Sequence, residues 1–241
     1  MNVARFNFSH GSHEEHKRSL DRLRKVAASK SSNIAVLLDT KGPEIRTGLF
    51  DKSVLTQLEL KRGDDFTLIG DYSYKANCSK KLGCSYEQIA ESVKPGQQIL
   101  VADGALVLTV VSSDVPNKEV TCRVENNASI GERKNICLPG IRVDLPTFSE
   151  KDVDDVVNFG IKNGVDCIAA SFIRTGQDVL NLRKLLADNG GEAIKIISKI
   201  GNQEGMEHFD KILEETDGIM IARGVLGMDI APAKVREEKP T

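Results

Sequence analysis

The 241 residues contain no CxxC pair, no apolar run of membrane-spanning length and no basic excess. Each absence closes off a class of function. The five cysteines (78, 84, 122, 137 and 167) are odd in number and scattered, which fits reduced thiols in the cytosol rather than disulfides or zinc. A membrane helix needs roughly 18 consecutive apolar residues. The start, Met1 to Phe8, has neither the basic opening nor the apolar centre of a secretion signal. Lysine and arginine number 33 against 35 acidic residues, a net charge of −2, so nothing global invites nucleic acid or an anionic membrane. Neither GxGxxG nor a GxxxxGK-type loop is present, which removes the dinucleotide and P-loop modes of gripping phosphate.

What is present is ordinary for a globular protein, with 40% hydrophobic and 28% charged residues, enough for one α/β domain or two smaller ones. Val3 to Phe8 alternates like a strand. Ser12 with Glu15 makes a capping box, and Leu20, Leu23, Val26 and Ala27 give the following helix its apolar stripe. His10, His13 and His16 lie three apart, but no carboxylate or cysteine nearby completes a ligand set, so they read as surface or capping histidines. Ile34 to Leu38 is a continuous apolar run, the pattern of a strand buried on both faces. Gly42-Pro43 then breaks the regular structure. From there to about Pro146 helical periodicity almost vanishes, and β-rich pieces such as Phe66–Ile69, Ala105–Val111 and Glu119–Val124 are separated by turn signals. That is the signature of a small antiparallel barrel or sandwich, inserted over 43–146 into an α/β domain of 1–42 and 147–241.

The βα pattern resumes with a Thr147/Glu150 capping box and a helix through Val153, Val156, Val157 and Phe159. Further strands are expected at Val165–Ala170, Ala193–Ile200 and Asp217–Ala222, with helices near Asp178–Ala187 and Gly205–Glu214. Counting the two before the insertion, five strands are of parallel type; a closed β/α barrel needs eight. In such sheets ligands bind at the C-terminal strand ends. The inventory there is Arg5, Asn7, Ser9, Asp39, Thr40, Ser171, Arg174, Lys199 and Arg223, with Arg46 at the start of the insertion. Cations among hard oxygen donors suit a phosphorylated or carboxylate ligand and a hard cation.

Asn2-Val-Ala-Arg-Phe-Asn-Phe-Ser-His-Gly11, Asp39-Thr-Lys-Gly-Pro-Glu-Ile-Arg-Thr-Gly48, Leu138-Pro-Gly140, Asp144-Leu-Pro146, Ala170-Ser-Phe-Ile-Arg174, Ile196-Ile-Ser-Lys-Ile200 and Asp217-Gly-Ile-Met-Ile-Ala-Arg-Gly224 closely resemble pyruvate kinase. The resemblance implies an α/β fold, an incomplete TIM-type β/α barrel carrying an inserted all-β lid domain. It implies phosphoryl transfer from phosphoenolpyruvate to ADP, giving pyruvate and ATP in the cytoplasm, with Mg²⁺ and K⁺. By motif, Lys199 would be catalytic. Arg5 and the Arg223-Gly224-Val225 backbone would bind the three-carbon substrate, Arg46 and Lys134 would serve the nucleotide, and Asn7, Ser9, Asp39 and Thr40 would hold K⁺.

Two positions depart from the family pattern. Lys-Ile-Glu-Asn becomes Lys199-Ile200-Gly201-Asn202, and Ala-Arg-Gly-Asp-Leu-Gly becomes Ala222-Arg223-Gly224-Val225-Leu226-Gly227. The resemblance implies that the missing Glu and Asp are the Mg²⁺ carboxylates, so impaired turnover is expected. The motifs also lack the family's first barrel strand, its last two and its C-terminal domain, which leads us to expect self-association or a partner chain. Three functions stay open: a working kinase, a silent ligand-binding relative, and an interaction protein completing its barrel against another chain.

Overall fold

A computed structural model describes residues 1–141 and 143–230. The aperiodic tail read after Ile230 lies outside the described residues. Two compact units are present, one of Met1–Pro43 with Leu145–Leu226, the other of Glu44–Asp144 with the segment from Gly227.

In the first unit five strands form one sheet in the order Val3–Asn7, Ala35–Asp39, Cys167–Ala170, Lys195–Ile200 and Gly218–Ile221. Every neighbouring pair is parallel, so all five C-terminal ends fall on one edge. The register sets Asn7 opposite Asp39 and Ala169 opposite Asp39 on its other side. Ala35–Asp39 is buried over its last four residues, as its unbroken apolar run requires. Helix His13–Ser29 opens on the Ser12/Glu15 capping box and buries Leu20. Phe8, Leu20, Leu38, Phe159, Ile168 and Ile196 are among the side chains of a single core between sheet and helices. Each contributes about 1.5–3 kcal/mol by leaving water.

The structure departs from the sequence reading in several places. The helix after Leu145 is capped by Ser149, whose hydroxyl accepts from Asp152 N while Asp152 accepts from Ser149 N. Thr147 instead donates its hydroxyl to Asp178 at 2.7 Å. That helix, Glu150–Asp154, widens into a π-helix over Asp155–Ile161. The helix expected at Gly205–Glu214 divides into Gln203–Glu207 and Phe209–Glu215, and His208 between them bonds the Arg174 carbonyl through Nδ1. A further short helix, Arg223–Asp229, follows the last strand.

The second unit carries a seven-stranded sheet in the order Ile45–Arg46, Asn135–Cys137, Gln98–Val101, Leu106–Asp114, Glu119–Val124, Asp65–Ile69, Lys81–Gly83. All its pairs are antiparallel except the last, which is parallel and so departs from a purely antiparallel expectation. A second small sheet pairs Leu58–Leu60 with Ala128–Ile130. Alternate burial along Leu106–Val110 shows one face turned to this unit's own core. No helix among the described residues is long and apolar enough to cross a membrane.

Candidate functional site

The parallel strand ends converge on one carboxylate. Asp39 is fully buried. Its Oδ2 accepts Arg5 Nε at 2.6 Å and Nη2 at 2.5 Å. Its Oδ1 accepts Lys199 Nζ at 2.6 Å. A buried charge is tolerated only when paired and hydrogen-bonded, and Asp39 meets that condition twice over. Lys199 also donates to Ser171 Oγ at 2.8 Å, and that hydroxyl donates to the Thr40 carbonyl at 2.6 Å. Ser171 N closes the loop on Thr40 Oγ1 at 3.0 Å. Residues from four neighbouring strand ends are thus locked into one polar network. The Arg5 side chain stays 54% exposed, so its outer guanidinium edge faces solvent.

Gly42 positions this network from below. Its φ is +72°, a conformation that favours glycine, and a Cβ there would fall 2.8 Å from Ser171 Cβ. Its N–H donates to Asp152, the same carboxylate that caps the Glu150–Asp154 helix. Arg174 donates through Nη2 to the Leu145 carbonyl at 2.8 Å and to Thr147 Oγ1, which orients it along its own unit's helix starts.

A family model described as pyruvate kinase, barrel domain, matches residues 1–239. The chain belongs to the pyruvate kinase family. It is 48% identical over 235 residues to the cytosolic pyruvate kinase isozyme of Solanum tuberosum, covering 98% of this chain and 45% of that protein. It is 50% identical to a pyruvate kinase of Eimeria tenella, covering 98% and 43%. A crystal structure of a pyruvate kinase from Cryptosporidium parvum superposes with a TM-score of 0.88 at 43% identity, over 99% of this chain and 48% of that one. The chain spans about half the length of the curated relatives it matches.

Against the pyruvate kinase motifs, the two cation sites fare differently. Asn7 and Asp39 are register partners on adjacent strands. Asn7 Oδ1 accepts from Ser9 N at 3.1 Å, and Thr40 lies buried beside Asp39. Asn7, Ser9, Asp39 and Thr40 offer the all-oxygen donor chemistry a hard cation takes, with both Asp39 oxygens engaged by Arg5 and Lys199. The divalent positions do not fit their ion. A Cβ on Gly201 would meet Val225 Cγ1 at 3.5 Å, Ala222 Cβ at 3.6 Å and Val225 Cβ at 3.7 Å. Gly201 and Val225 therefore stand together, as the family resemblance implies, but they bring no oxygen donor where a divalent ion needs one.

Arg223 and Gly224 open the Arg223–Asp229 helix and are exposed. In the second unit the Arg46 guanidinium is held by Glu44 at 2.5 Å and by the Arg133 carbonyl at 2.7 Å. Lys134 follows, its backbone bonded both ways to Thr47 and its side chain exposed. Sequence reasoning missed the convergence of His13 with Asp154 and Asp155. Those carboxylates come from a helix some 140 residues downstream, and local spacing carries no trace of them.

Proposed function

We propose that the strand-end cluster binds phosphoenolpyruvate, or a closely similar phosphorylated carboxylic acid, without turning it over at the family's rate. Arg5 receives the phosphate on its exposed edge, and the backbone at Arg223-Gly224-Val225 receives the carboxylate. Lys199, held in place by Asp39 and Ser171, faces the phosphoryl group and offsets its charge. A K⁺ held by Asn7, Ser9, Asp39 and Thr40 would add a fixed positive charge beside that phosphate. Arg46 and Lys134 serve ADP or ATP. The reading places the chain in the cytosol, as the printed names of several relatives do for those proteins.

The observation that carries the second half of the proposal is the Gly201–Val225 contact. The family's phosphoryl transfer from phosphoenolpyruvate to ADP relies on a divalent cation, and these two side chains hold none. Losing about 4–6 kcal/mol of charge stabilisation slows a reaction roughly a thousandfold to ten-thousandfold. Titration calorimetry with phosphoenolpyruvate, beside a coupled assay for pyruvate, tests both halves. Binding that Lys199→Met and Arg5→Met abolish, with no Mg²⁺-dependent pyruvate above background, is expected. Pyruvate formation at a rate typical of kinases, about 1–100 s⁻¹, would overturn it.

A second reading is that this chain pairs with another. Among the described residues Val3–Asn7 and Gly218–Ile221 each bond a neighbouring strand on one side. Unpaired strand edges are templates for association. Light scattering that gives a monomer at micromolar concentration would remove this reading.

A further inference from the structure

Away from the strand ends, His13 Nε2 lies 2.8 Å from Asp155 Oδ1 and 3.8 Å from Asp154 Oδ2. Among the described residues this is the one group of three or more His, Cys, Asp or Glu side chains whose ligand atoms all lie within 4.8 Å of one another. Atoms bound at ~2.0–2.1 Å to one zinc-sized ion stand about 2.9–3.4 Å apart. The observed separations straddle that range. The wider one involves Asp154, whose side chain is 56% exposed and has room to move.

The other oxygen of each carboxylate is already held. Asp154 Oδ1 accepts Asn158 Nδ2 at 2.6 Å. Asp155 Oδ2 accepts Lys151 Nζ at 2.5 Å, and Lys151 donates again to the Phe8 carbonyl at 3.1 Å. One oxygen per carboxylate is left facing the imidazole, the arrangement in which outer partners orient metal ligands. The Phe8 and Phe159 rings, 6.0 and 5.5 Å from the His13 ring, restrict its rotation. A simple His13–Asp155 hydrogen bond explains two members of this group. It leaves unexplained why Asp154, oriented by Asn158, turns its second oxygen to the same nitrogen.

We propose that His13, Asp154 and Asp155 form a binding site for a borderline divalent metal ion of the Zn²⁺ or Co²⁺ class, with water completing the coordination. One imidazole with two carboxylates suits such ions better than Mg²⁺, which keeps most of its water and binds through oxygen. The ion ties the first turn of the His13–Ser29 helix to the start of the π-helix. Through Lys151 it also steadies the Phe8 carbonyl, next to Ser9. Lys151 orients Asp155 through its outer oxygen, so its removal loosens the ion's hold.

The test uses the whole chain with its thiols reduced, titrated with Co²⁺ by visible absorption and with Zn²⁺ by calorimetry. One ion per chain is expected, with a spectrum free of thiolate-to-cobalt charge transfer. His13→Ala and Asp154→Asn should each weaken binding at least about tenfold, and Lys151→Gln, which removes the outer partner of Asp155, should weaken it less. Asp154 is exposed, so Asp154→Asn should keep the fold. Its thermal midpoint should match the parent's without metal and fall below it when Zn²⁺ is present. No binding tighter than about a millimolar dissociation constant, thiolate bands, or affinities unmoved by His13→Ala and Asp154→Asn would each overturn the proposal.

Discussion

Lys199 reaches Asp39 over the end of the strand that separates them, with Nζ 2.6 Å from Oδ1 and donating also to Ser171, just past the intervening strand. The Lys199 side chain is 16% exposed and that of Asp39 fully buried. The two partners should therefore respond unequally to removal. Asp39→Ala strands Lys199 without a counter-charge and should cost about 3–5 kcal/mol. Lys199→Met leaves Asp39 paired with Arg5, and should cost about 1.5–3 kcal/mol, the order of one charge-assisted hydrogen bond. Urea unfolding of the two variants checks the order; equal losses would mean that Arg5 does not hold Asp39 alone.

Gly42 offers a second test of the same network. Gly42→Ala combines a φ of +72° with a Cβ 2.8 Å from Ser171. The backbone term alone is of order 1–3 kcal/mol. Gly63 has φ +92°, and a Cβ there would meet nothing within 4 Å, so Gly63→Ala isolates that backbone term. Gly42→Ala should be the more destabilising and should alone weaken phosphoenolpyruvate binding, because Ser171 must shift away from Lys199. Denaturation midpoints and calorimetry on the pair decide it.

Much of this site is readable in the chain because each parallel strand ends in an apolar run followed at once by its polar group. Ala35–Asp39 ends on Asp39, Cys167–Ala170 is followed by Ser171, and Lys195–Ile200 carries Lys199 one residue from its end. Period and position suffice for those. Three-residue strands such as Lys81–Gly83 and Ala128–Ile130 are too short to display a period, and their pairing depends on partners far along the chain. Ser149 displaced Thr147 as the helix cap because both lie near an acidic residue at capping spacing, and the choice was made by Asp178 drawing Thr147 away. Asp155 meets His13 only through the packing of two helices.

The cysteines should separate cleanly by reactivity. Burial pushes the Cys84 thiol up to about 11, and those of Cys122 and Cys137 up to about 12. At pH 8 on the order of one Cys84 in a thousand is thiolate, and the thiolate is the reactive form. Cys78 is exposed. Treatment with a thiol reagent at pH 8 should label Cys78 first, while the buried Cys84 and Cys122 react at the rate of unfolding. Rapid labelling of Cys122 by mass spectrometry would contradict its burial.

Asp217 gives the molecule an acid-sensitive tie. Burial works to raise its pKa, but the Ile196 N–H, Lys195 and Arg183 together outweigh burial and hold it below the usual carboxylate range. Its folded pKa thus lies under the unfolded one. The stability it contributes is fully present above the unfolded value and is lost as pH falls through the folded one. The Arg183 and Lys195 pairs are largely exposed and worth little. The bond from Ile196 N at 2.9 Å carries most of the effect, about 1.5–3 kcal/mol for a charged acceptor. Asp217→Asn should be less stable than the parent at pH 7 by that order, and the gap should close as pH falls through the lowered pKa of folded Asp217. A gap independent of pH would assign the effect to shape rather than charge.

The sharpest test concerns the pair that departs from the family. Gly201 has no left-handed φ, and the nearest atoms to a Cβ there lie at 3.5–3.7 Å, ordinary contact distances. Gly201→Glu is therefore accommodated without backbone strain, and Val225→Asp places a second carboxylate against it. Neither change alone supplies more than one ligand. The combined variant should bind Mn²⁺ at least about tenfold more tightly than either single change, since two carboxylates share one ion. Without metal the same two charges repel, so the double variant should be less stable than the single losses sum to, as contacting residues are expected to couple. Adding Mn²⁺ should reverse this, at ten times the dissociation constant by about 1.4 kcal/mol. His13→Ala as the common background keeps the other proposed metal site out of the measurement, and electron paramagnetic resonance of free Mn²⁺ reads the binding. A double variant whose thermal midpoint ignores Mn²⁺, and whose two changes add without coupling, would show that positions 201 and 225 do not meet, and the proposal that this chain binds its ligand without turning it over would lose its basis.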